Sequence, residues 1–411
     1  MRNGGSGSDS VSGSDSVSGS DGGGDSDGGS GRLSRRLRKH RTLALGVTAV
    51  VLAGAVVIPW AVADSGDDEP CWRLPASARA LADEPAAATE ALDVGGDVTR
   101  LAAARELLAH EKVCGDGARV LGRVVDGATR SAGPGKPHTV AQAGSAYAVV
   151  AALHGSELPA GLAPAVARMM AEYVVDAGRA GSLGRDDDAI GPAAAPEEVR
   201  PDGRGYVWLG RFLAPGEAHA TFEYADDLAG ADADVESLVA ELAKDPEAFA
   251  ILYDAERAYL AYYLERLTDR GGDPAFRASP DKREGSSDAT TWPDNDLEDL
   301  ADRVGDLMKY RARYARDGTI PDLAAFDASV RSHTRGAFRP ASERLDTRPP
   351  MGDIARRPVS GPVRGDLMDG RRQLFTVVDG WAEDRSVPAQ RASAMKQLMD
   401  DAYVRALWLR Y

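Results

Sequence analysis

Cysteine is almost absent from this sequence, which limits the chemistry open to the chain. It has two cysteines, Cys71 and Cys114, among 411 residues. Two cysteines so far apart cannot supply the closely spaced thiolates of a structural zinc site. Both follow a long apolar run, so in an exported domain we expect them to form a disulfide, because disulfides persist in oxidising compartments. Two buried free thiols are the alternative.

The exported part also lacks the short motifs of the common enzyme classes. It has no Gly-x-Ser-x-Gly elbow, Walker loop or dinucleotide fingerprint, and Ser145 has no flanking glycines at the required spacing. No histidines are spaced to place two imidazoles on one helix face. We therefore expect no catalytic, cofactor-binding or metal-binding residue and no enzymatic activity. The histidines of this part are interpreted as surface or capping groups: His110, His138, His154, His219 and His333.

Basic residues are outnumbered in this chain, whose formal net charge is −15 at pH 7. An acidic body argues against nucleic acid as a partner, because phosphate binding needs a basic face. Carboxylates cluster at 186–188, 226–236 and 294–299, and clustered carboxylate oxygens suit a hard cation. The last cluster lacks the glycine and spacing of an EF-hand loop. We interpret all three clusters as solvated loops or helix N-termini.

One enzymatic alternative stays open. A cell-wall glycosidase needs two facing carboxylates, and the sequence neither excludes nor nominates such a pair. Four neighbouring aromatic residues would also suit a sugar cleft, although core packing is the interpretation that we favour: Tyr206, Trp208, Phe222 and Tyr224. An exported hydrolase or a wall-binding protein is therefore the alternative function.

Three segments of unlike composition precede the acidic body. Residues 1–31 are mostly Gly, Ser and Asp with the repeat SGSDSV, and such a composition predicts disorder because it cannot bury a core. Residues 32–41 hold six basic residues, and residues 42–63 carry no charge. A helix over 42–63 would be about 33 Å long, enough to cross a hydrocarbon layer of about 30 Å. The basic residues next to this span are Arg35, Arg36, Arg38, Lys39 and Arg41.

The charges on the two sides of the apolar run predict its orientation. Basic residues before it and acidic residues after it place the N-terminus in the cytoplasm and the C-terminal body outside. Ala61-Val62-Ala63 has the small-x-small form that signal peptidase accepts, so cleavage after Ala63 is the alternative. We favour a retained anchor, because the run exceeds the roughly 7–15 apolar residues of a signal peptide. The preceding tail would also have no use in a disposable signal.

From Leu74 onward the apolar residues recur with a helical period, which predicts an all-α exported domain. A soft boundary near 196–230 divides it into two subdomains, 64–200 and 201–411. Residues 183–204 and 271–293 are rich in Gly, Pro, Asp and Ser and predict loops, and Tyr206–Phe212 is the best candidate strand. Helices are predicted at 96–113, 117–128, 138–153, 161–177, 246–270, after Asp294 as N-cap, and near the C-terminus around 395–409. In the helix at 246–270, most of the polar surface is predicted to come from Glu247, Glu256, Arg257, Glu265, Arg266 and Asp269.

The order of these segments resembles that of CisA, the family of membrane proteins associated with cytoplasmic contractile injection systems in filamentous actinobacteria. The resemblance is carried by the Gly/Ser/Asp tail, by RRLRKHR at 35–41, by the single apolar span and by the helical exported domain. It implies a protein that helps an injection particle meet the membrane and fire, leading to cell death under stress. The expected partners are the lipid bilayer and unidentified proteins on one or both sides of it, with no cofactor.

Overall fold

Most of the described chain is α-helical, which confirms the mostly helical part of the predicted fold, although two short strands interrupt the all-α pattern. The computed structural model describes residues 71–133, 136–180, 191–195, 216–222, 233–272, 292–334 and 370–408. Several predicted features lie outside these residues: the tail 1–31, the basic segment 32–41, the apolar span 42–63 and the candidate strand 206–212. None of the helices within the described ranges combines the length and the apolar character that a membrane crossing requires.

The helices of the first half are short and rich in alanine. They are α1 (Ala76–Leu81), α2 (Pro85–Leu92), α3 (Leu101–Leu108), α4 (Gly117–Thr129), α5 (Val140–Leu153), α6 (Ala163–Glu172) and α7 (Val174–Ala180). A 3-10 turn at Val98–Arg100 leads into α3. Two strands, β1 (Ala193–Ala194) and β2 (His219–Ala220), pair antiparallel with Ala193 opposite Ala220.

Longer helices make up the second half of the described chain. They are α8 (Val235–Leu242), α9 (Pro246–Glu265), α10 (Trp292–Asp317), α11 (Leu323–His333), α12 (Gly370–Arg385) and α13 (Ala389–Trp408). Buried side chains from both halves belong to one continuous hydrophobic cluster. The division of this region near residue 200 stays a prediction.

Side-chain caps explain where several helices begin. Thr139 and Gln142 form a capping box at the start of α5, in which each side chain bonds the other residue's backbone N–H. Asp234, Asp245 and Asp322 each accept a hydrogen bond from a backbone N–H of the first turn, at α8, α9 and α11 respectively. The prediction of Asp294 as an N-cap is wrong, because α10 already begins at Trp292.

Helix α9 is the central element of the second half. Its sequence predicts an amphipathic helix with one polar surface, but the structure buries it on nearly all sides between α6, α10, α11 and α12. Two predicted surface groups, Arg257 and Glu265, are only 1% and 4% exposed. Arg257 is ion-paired with Asp254 and also donates to Gln373 Oε1 at 3.4 Å. The polar face was mispredicted because these partners satisfy the charges inside the core.

The predicted disulfide between Cys71 and Cys114 is present, with Cα atoms 5.2 Å apart. Backbone hydrogen bonds reinforce it: Trp72 N donates to Lys112 O at 2.8 Å, and Cys114 N donates to Trp72 O at 2.9 Å. The Trp72 ring also stacks on His110 with centroids 3.7 Å apart. The beginning of the described chain is thereby fastened to the loop between α3 and α4.

Candidate functional site

A cluster of buried charged side chains lies where α4, α5, α6 and β2 approach one another. His138 precedes α5, Glu172 ends α6, and Glu217 precedes β2; all three are at most 1% exposed. The His138 imidazole lies between the two carboxylates. Its Nδ1 is 2.5 Å from Glu217 Oε1, and its Nε2 is 2.9 Å from Glu172 Oε2. We call these three residues the His138 cluster.

Further hydrogen bonds tie the His138 cluster to the end of α4. Arg130 Nε donates to Glu172 Oε1 at 2.9 Å, and the backbone N–H of Ser131 donates to Glu172 Oε2 at 3.1 Å. The Tyr173 hydroxyl donates to Thr129 O at 2.9 Å, and its ring lies 4.5 Å from that of His138. Through its bonds to Arg130, Ser131 and His138, Glu172 connects the end of α6 to the end of α4 and to the segment before α5.

The surroundings of His138 and Glu172 favour a protonated imidazole and an ionised carboxylate. Burial alone lowers the pKa of His138, but hydrogen bonds to Glu172 and Glu217 outweigh burial and raise that pKa to about 9. Burial alone raises the pKa of Glu172, but the His138 hydrogen bond and the charge of Arg130 lower it to about 2. A general acid or base works best when its pKa lies near the operating pH. Both groups are therefore poorly matched to proton transfer at neutral pH.

A second buried histidine–carboxylate contact lies one helical turn further along. Asp176 on α7 is four residues after Glu172, and its Oδ1 is 2.6 Å from His219 Nδ1. Its other oxygen, Oδ2, accepts the backbone N–H of Ala220 at 3.0 Å. Both side chains are buried. This arrangement orients the His219 ring, because a carboxylate accepts only from a protonated ring nitrogen.

The interpretation of His138 and His219 as surface or capping groups is wrong, since both are fully buried and their ring nitrogens contact carboxylates. No spacing motif revealed them, because Glu217 lies 79 residues after His138 and His219 lies 43 residues after Asp176. One signal was available: two acidic residues four apart within an otherwise apolar helical stretch. The other histidines agree better with the prediction, since His154 caps α5 and His333 ends α11.

The carboxylate cluster at 294–299 is used for contacts between helices. Asp294 pairs with Arg391 at 2.7 Å, Glu298 pairs with Arg405 at 3.0 Å, and Asp296 Oδ2 accepts the Tyr263 hydroxyl at 2.7 Å. In the ranges that the structure describes, no three His, Cys, Asp or Glu side chains are arranged to hold a metal ion. The carboxylates at 186–188 and most of those at 226–236 lie outside these ranges.

Ser145 and Phe222, two further residues singled out in the sequence, are both buried in the described part of the chain. Ser145 is buried in α5, where its hydroxyl donates to Ala141 O at 2.8 Å. Of the four aromatics near 206–224, only Phe222 is described; it is buried and packs edge-on against Tyr173 with centroids 6.5 Å apart. The basic residues near the apolar span lie outside the described part: Arg35, Arg36, Arg38, Lys39 and Arg41.

A surface cleft of about 610 Å³ lies between α8 and α10. Lys309 on its wall bonds Asp306, and the Tyr310 hydroxyl donates to Glu236 Oε1 at 3.1 Å. Burial, together with the charges of Glu236 and Asp306, raises the pKa of Tyr310. Lys309, Tyr310 and Glu236 of the wall therefore bond within the protein, while Arg313 and Asp317 also line the cleft.

Comparison with known proteins finds no relative of this chain. No protein-family model matches the chain, and no curated protein or solved structure matches it either.

Proposed function

We propose that this chain is a single-pass membrane protein that acts without enzymatic activity, as a dock, sensor or scaffold between the cytoplasm and the cell exterior. Residues 42–63 would anchor it, residues 1–41 would lie in the cytoplasm, and the helical body would lie outside. Residues 1–41 and the folded body would then each meet partners on their own side of the membrane.

The Cys71–Cys114 disulfide is the observation that carries this proposal. Disulfides are stable in oxidising compartments and rare in the cytosol. Cys71 follows the end of the uncharged run at Ala63 by only eight residues. The oxidised pair therefore supports a body on the outer side of the membrane, the same side that the basic residues before the run favour.

The His138 cluster supports a binding role over a catalytic role. Its charges are paired within the protein, and they fasten α4 and α6 to the segment before β2. Paired and buried charges of this kind stabilise one arrangement of the helices more readily than they perform chemistry on a substrate. A folded body held by such internal contacts suits a protein that presents a surface.

We also propose a specific partner, on the strength of the resemblance to CisA. The chain would attach a cytoplasmic contractile injection particle to the membrane through residues 1–41, and would promote its firing and cell death under stress. The order of tail, basic segment, apolar span and exported helical body supports this proposal. The acidic body is consistent with protein and lipid partners rather than nucleic acid.

We expect a tag at the C-terminus of the full chain to be removed when intact protoplasts are treated with a protease. A tag at the N-terminus of the same chain should survive until the membrane is lysed, which provides the matched control. Western blots of both tags against time measure the outcome. Protection of the C-terminal tag in intact protoplasts would show that the topology is wrong.

Crosslinking in living cells separates the specific partner from the topology. The expected result is that the N-terminal region of the full chain crosslinks to a sheath or baseplate protein of an injection particle. A chain whose six basic residues at 32–41 are replaced by serine provides a variant for comparison. If the full chain shows the proposed topology but crosslinks to no particle protein, the proposal of this partner is wrong while the proposed topology stands. Hydrolysis of wall polymer by the purified chain would favour the alternative function.

A further inference from the structure

The two walls of the cleft between α8 and α10 carry opposite charges. Lys309, Arg313 and Arg316 lie on the α10 wall, where spacings of four and three residues place them on one face of the helix. Asp234 and Glu236, at the start of α8, lie on the other wall. A third carboxylate, at the end of α10, balances the three cationic side chains of the lining. Such a lining matches neither a simple anion nor a simple cation.

The carboxylates of the α8 wall differ in the capacity that they keep for a ligand. Both oxygens of Asp234 are used at the helix cap, where they accept the backbone N–H of Ser237 at 3.0 Å and its hydroxyl at 2.6 Å. Glu236 accepts only the Tyr310 hydroxyl, through Oε1, and its side chain is 60% exposed. A carboxylate has about four acceptor positions, so Glu236 can accept an ammonium group as well.

Arg313 is the group of the α10 wall that keeps its guanidinium donors available. It is exposed, and within the described chain it takes part in no ion pair or hydrogen bond of its side chain. Its guanidinium lies over the Tyr314 ring, 5.6 Å from the centroid, and this contact positions the group without using its N–H donors. A guanidinium binds a carboxylate through two parallel hydrogen bonds, so Arg313 suits a carboxylate ligand.

Tyr310 and Lys309 place Glu236 and Arg313 at the same part of the cleft. The Tyr310 hydroxyl donates to Glu236 at 3.1 Å, and Tyr310 precedes Arg313 by three residues on α10. Residues at this spacing have Cβ atoms about 5–6 Å apart. Glu236 Oε1 also lies 3.9 Å from Lys309 Nζ, one helical turn before Arg313. An acceptor of an ammonium group and a donor to a carboxylate are therefore neighbours across the cleft.

We propose that this cleft binds a small zwitterion, of the class of a free amino acid or a short peptide, with its carboxylate on Arg313 and its ammonium group on Glu236. The volume of about 610 Å³ falls within the range of roughly 300–1,000 Å³ of small-molecule sites. A dipeptide spans at most about 7 Å, which suits two charged groups on facing walls. This site goes beyond the proposed function, and it does not depend on the side of the membrane on which the body lies.

Ligand-observed NMR titration of the full chain in detergent micelles tests the site with three probes. Glycylglycine, which carries both charges, should bind saturably. N-acetyl-glycylglycine lacks the ammonium group and glycylglycinamide lacks the carboxylate, so each should bind about tenfold more weakly or worse, because one contact between charged groups is lost. Absence of saturable glycylglycine binding, or equal affinity for the three probes, would overturn the proposal.

Two variants assign the ends of the ligand to their wall groups. Arg313→Gln should weaken glycylglycine binding by about tenfold or more. Glu236→Gln keeps an acceptor for Tyr310 and should remove the preference for glycylglycine over its N-acetyl form. Arg123→Gln is the matched control, because Arg123 is an exposed residue of α4 that does not line the cleft. Circular dichroism checks the folding of each variant.

The control should bind all three probes as the wild type does. Wild-type affinity in a folded Arg313→Gln chain would contradict the site, and so would an unchanged preference in Glu236→Gln. These titrations do not measure the topology of the chain, so a negative result would leave the proposed membrane role untouched.

Discussion

Glu172→Ala should lower the free energy of unfolding by about 3–5 kcal/mol, the usual cost of removing one partner from a buried ion pair. Glu172 accepts hydrogen bonds from His138, Arg130 and Ser131. Its removal would leave a protonated imidazole beside an empty volume and an arginine without its carboxylate. Urea unfolding of the full chain, followed by circular dichroism, measures the difference.

Glu90→Ala provides the matched control, because Glu90 is an exposed residue of α2. Exposed substitutions of this kind usually change stability by less than about 0.5 kcal/mol. Glu172→Gln keeps the volume and removes only the charge, so it should lie between the control and Glu172→Ala. Equal stability of Glu172→Ala and Glu90→Ala would contradict the description of the cluster.

The same cluster predicts how the stability of the wild-type chain depends on pH. The pKa of His138 is raised from 6.5 to about 9, so its contribution is complete below pH 6.5 and is lost as the pH rises through 9. The pKa of Glu172 is lowered from 4.5 to about 2, so its contribution is complete above pH 4.5 and is lost as the pH falls through 2. Stability from this pair is therefore greatest between pH 4.5 and 6.5.

Urea midpoints of the wild type at about pH 5.5 and about pH 9.5 test the alkaline side, where the loss from His138 should be of the order of 3 kcal/mol. In His138→Gln this alkaline loss should largely disappear, because the titrating ring is gone. An equally steep alkaline loss in His138→Gln would assign the effect to other groups.

Removal of the disulfide is the second large effect that we expect. Cys71→Ala/Cys114→Ala should lower stability by about 4 kcal/mol, since the bond closes a loop with a sequence separation of 43 residues. The reason in the chain-entropy model is that the open chain has more unfolded conformations. Thermal unfolding of the double variant and of the wild type, with and without a reductant, measures the loss.

The reductant supplies the control for the disulfide. It should lower the Tm of the wild type toward that of Cys71→Ala/Cys114→Ala and leave the double variant unchanged. If reduction does not affect the wild type, the bond does not stabilise the protein. The stacked rings of Trp72 and His110 and the backbone bonds around Cys71 would then be enough to hold this end of the chain without the disulfide.

Local sequence patterns were enough to predict the helical class and most helix positions. The start of α5 at Val140 follows from the Thr139 cap, and α9 begins after Asp245 with Pro246 at its first position. Such signals act within a few residues, so they can be recognised from the sequence alone. The helix after Asp294 shows the limit of this accuracy, because it begins at Trp292, three residues earlier than an N-cap at Asp294 predicts.

The candidate site was not predictable in the same way. His138 meets Glu217 across 79 residues, and Arg257 meets Gln373 across 116 residues. A periodic pattern marks charged residues as solvent-facing and gives no sign that a distant partner will neutralise them. The prediction of surface histidines failed because their partners are distant in sequence. The polar face on α9 was mispredicted because the surrounding helices bury Arg257 together with its near neighbour Asp254.

The sequence by itself therefore determined what depends on neighbouring residues. That includes the helices and their caps, and also the two cysteines available for a disulfide. Only the tertiary structure decided which charges are buried and paired, as in the His138 cluster and the Asp254–Arg257 pair. Burial of a charge is stable only when the charge is paired. The packing of whole helices, rather than any local pattern, sets which charges are buried, even where the partner is as near in sequence as Asp254 is to Arg257.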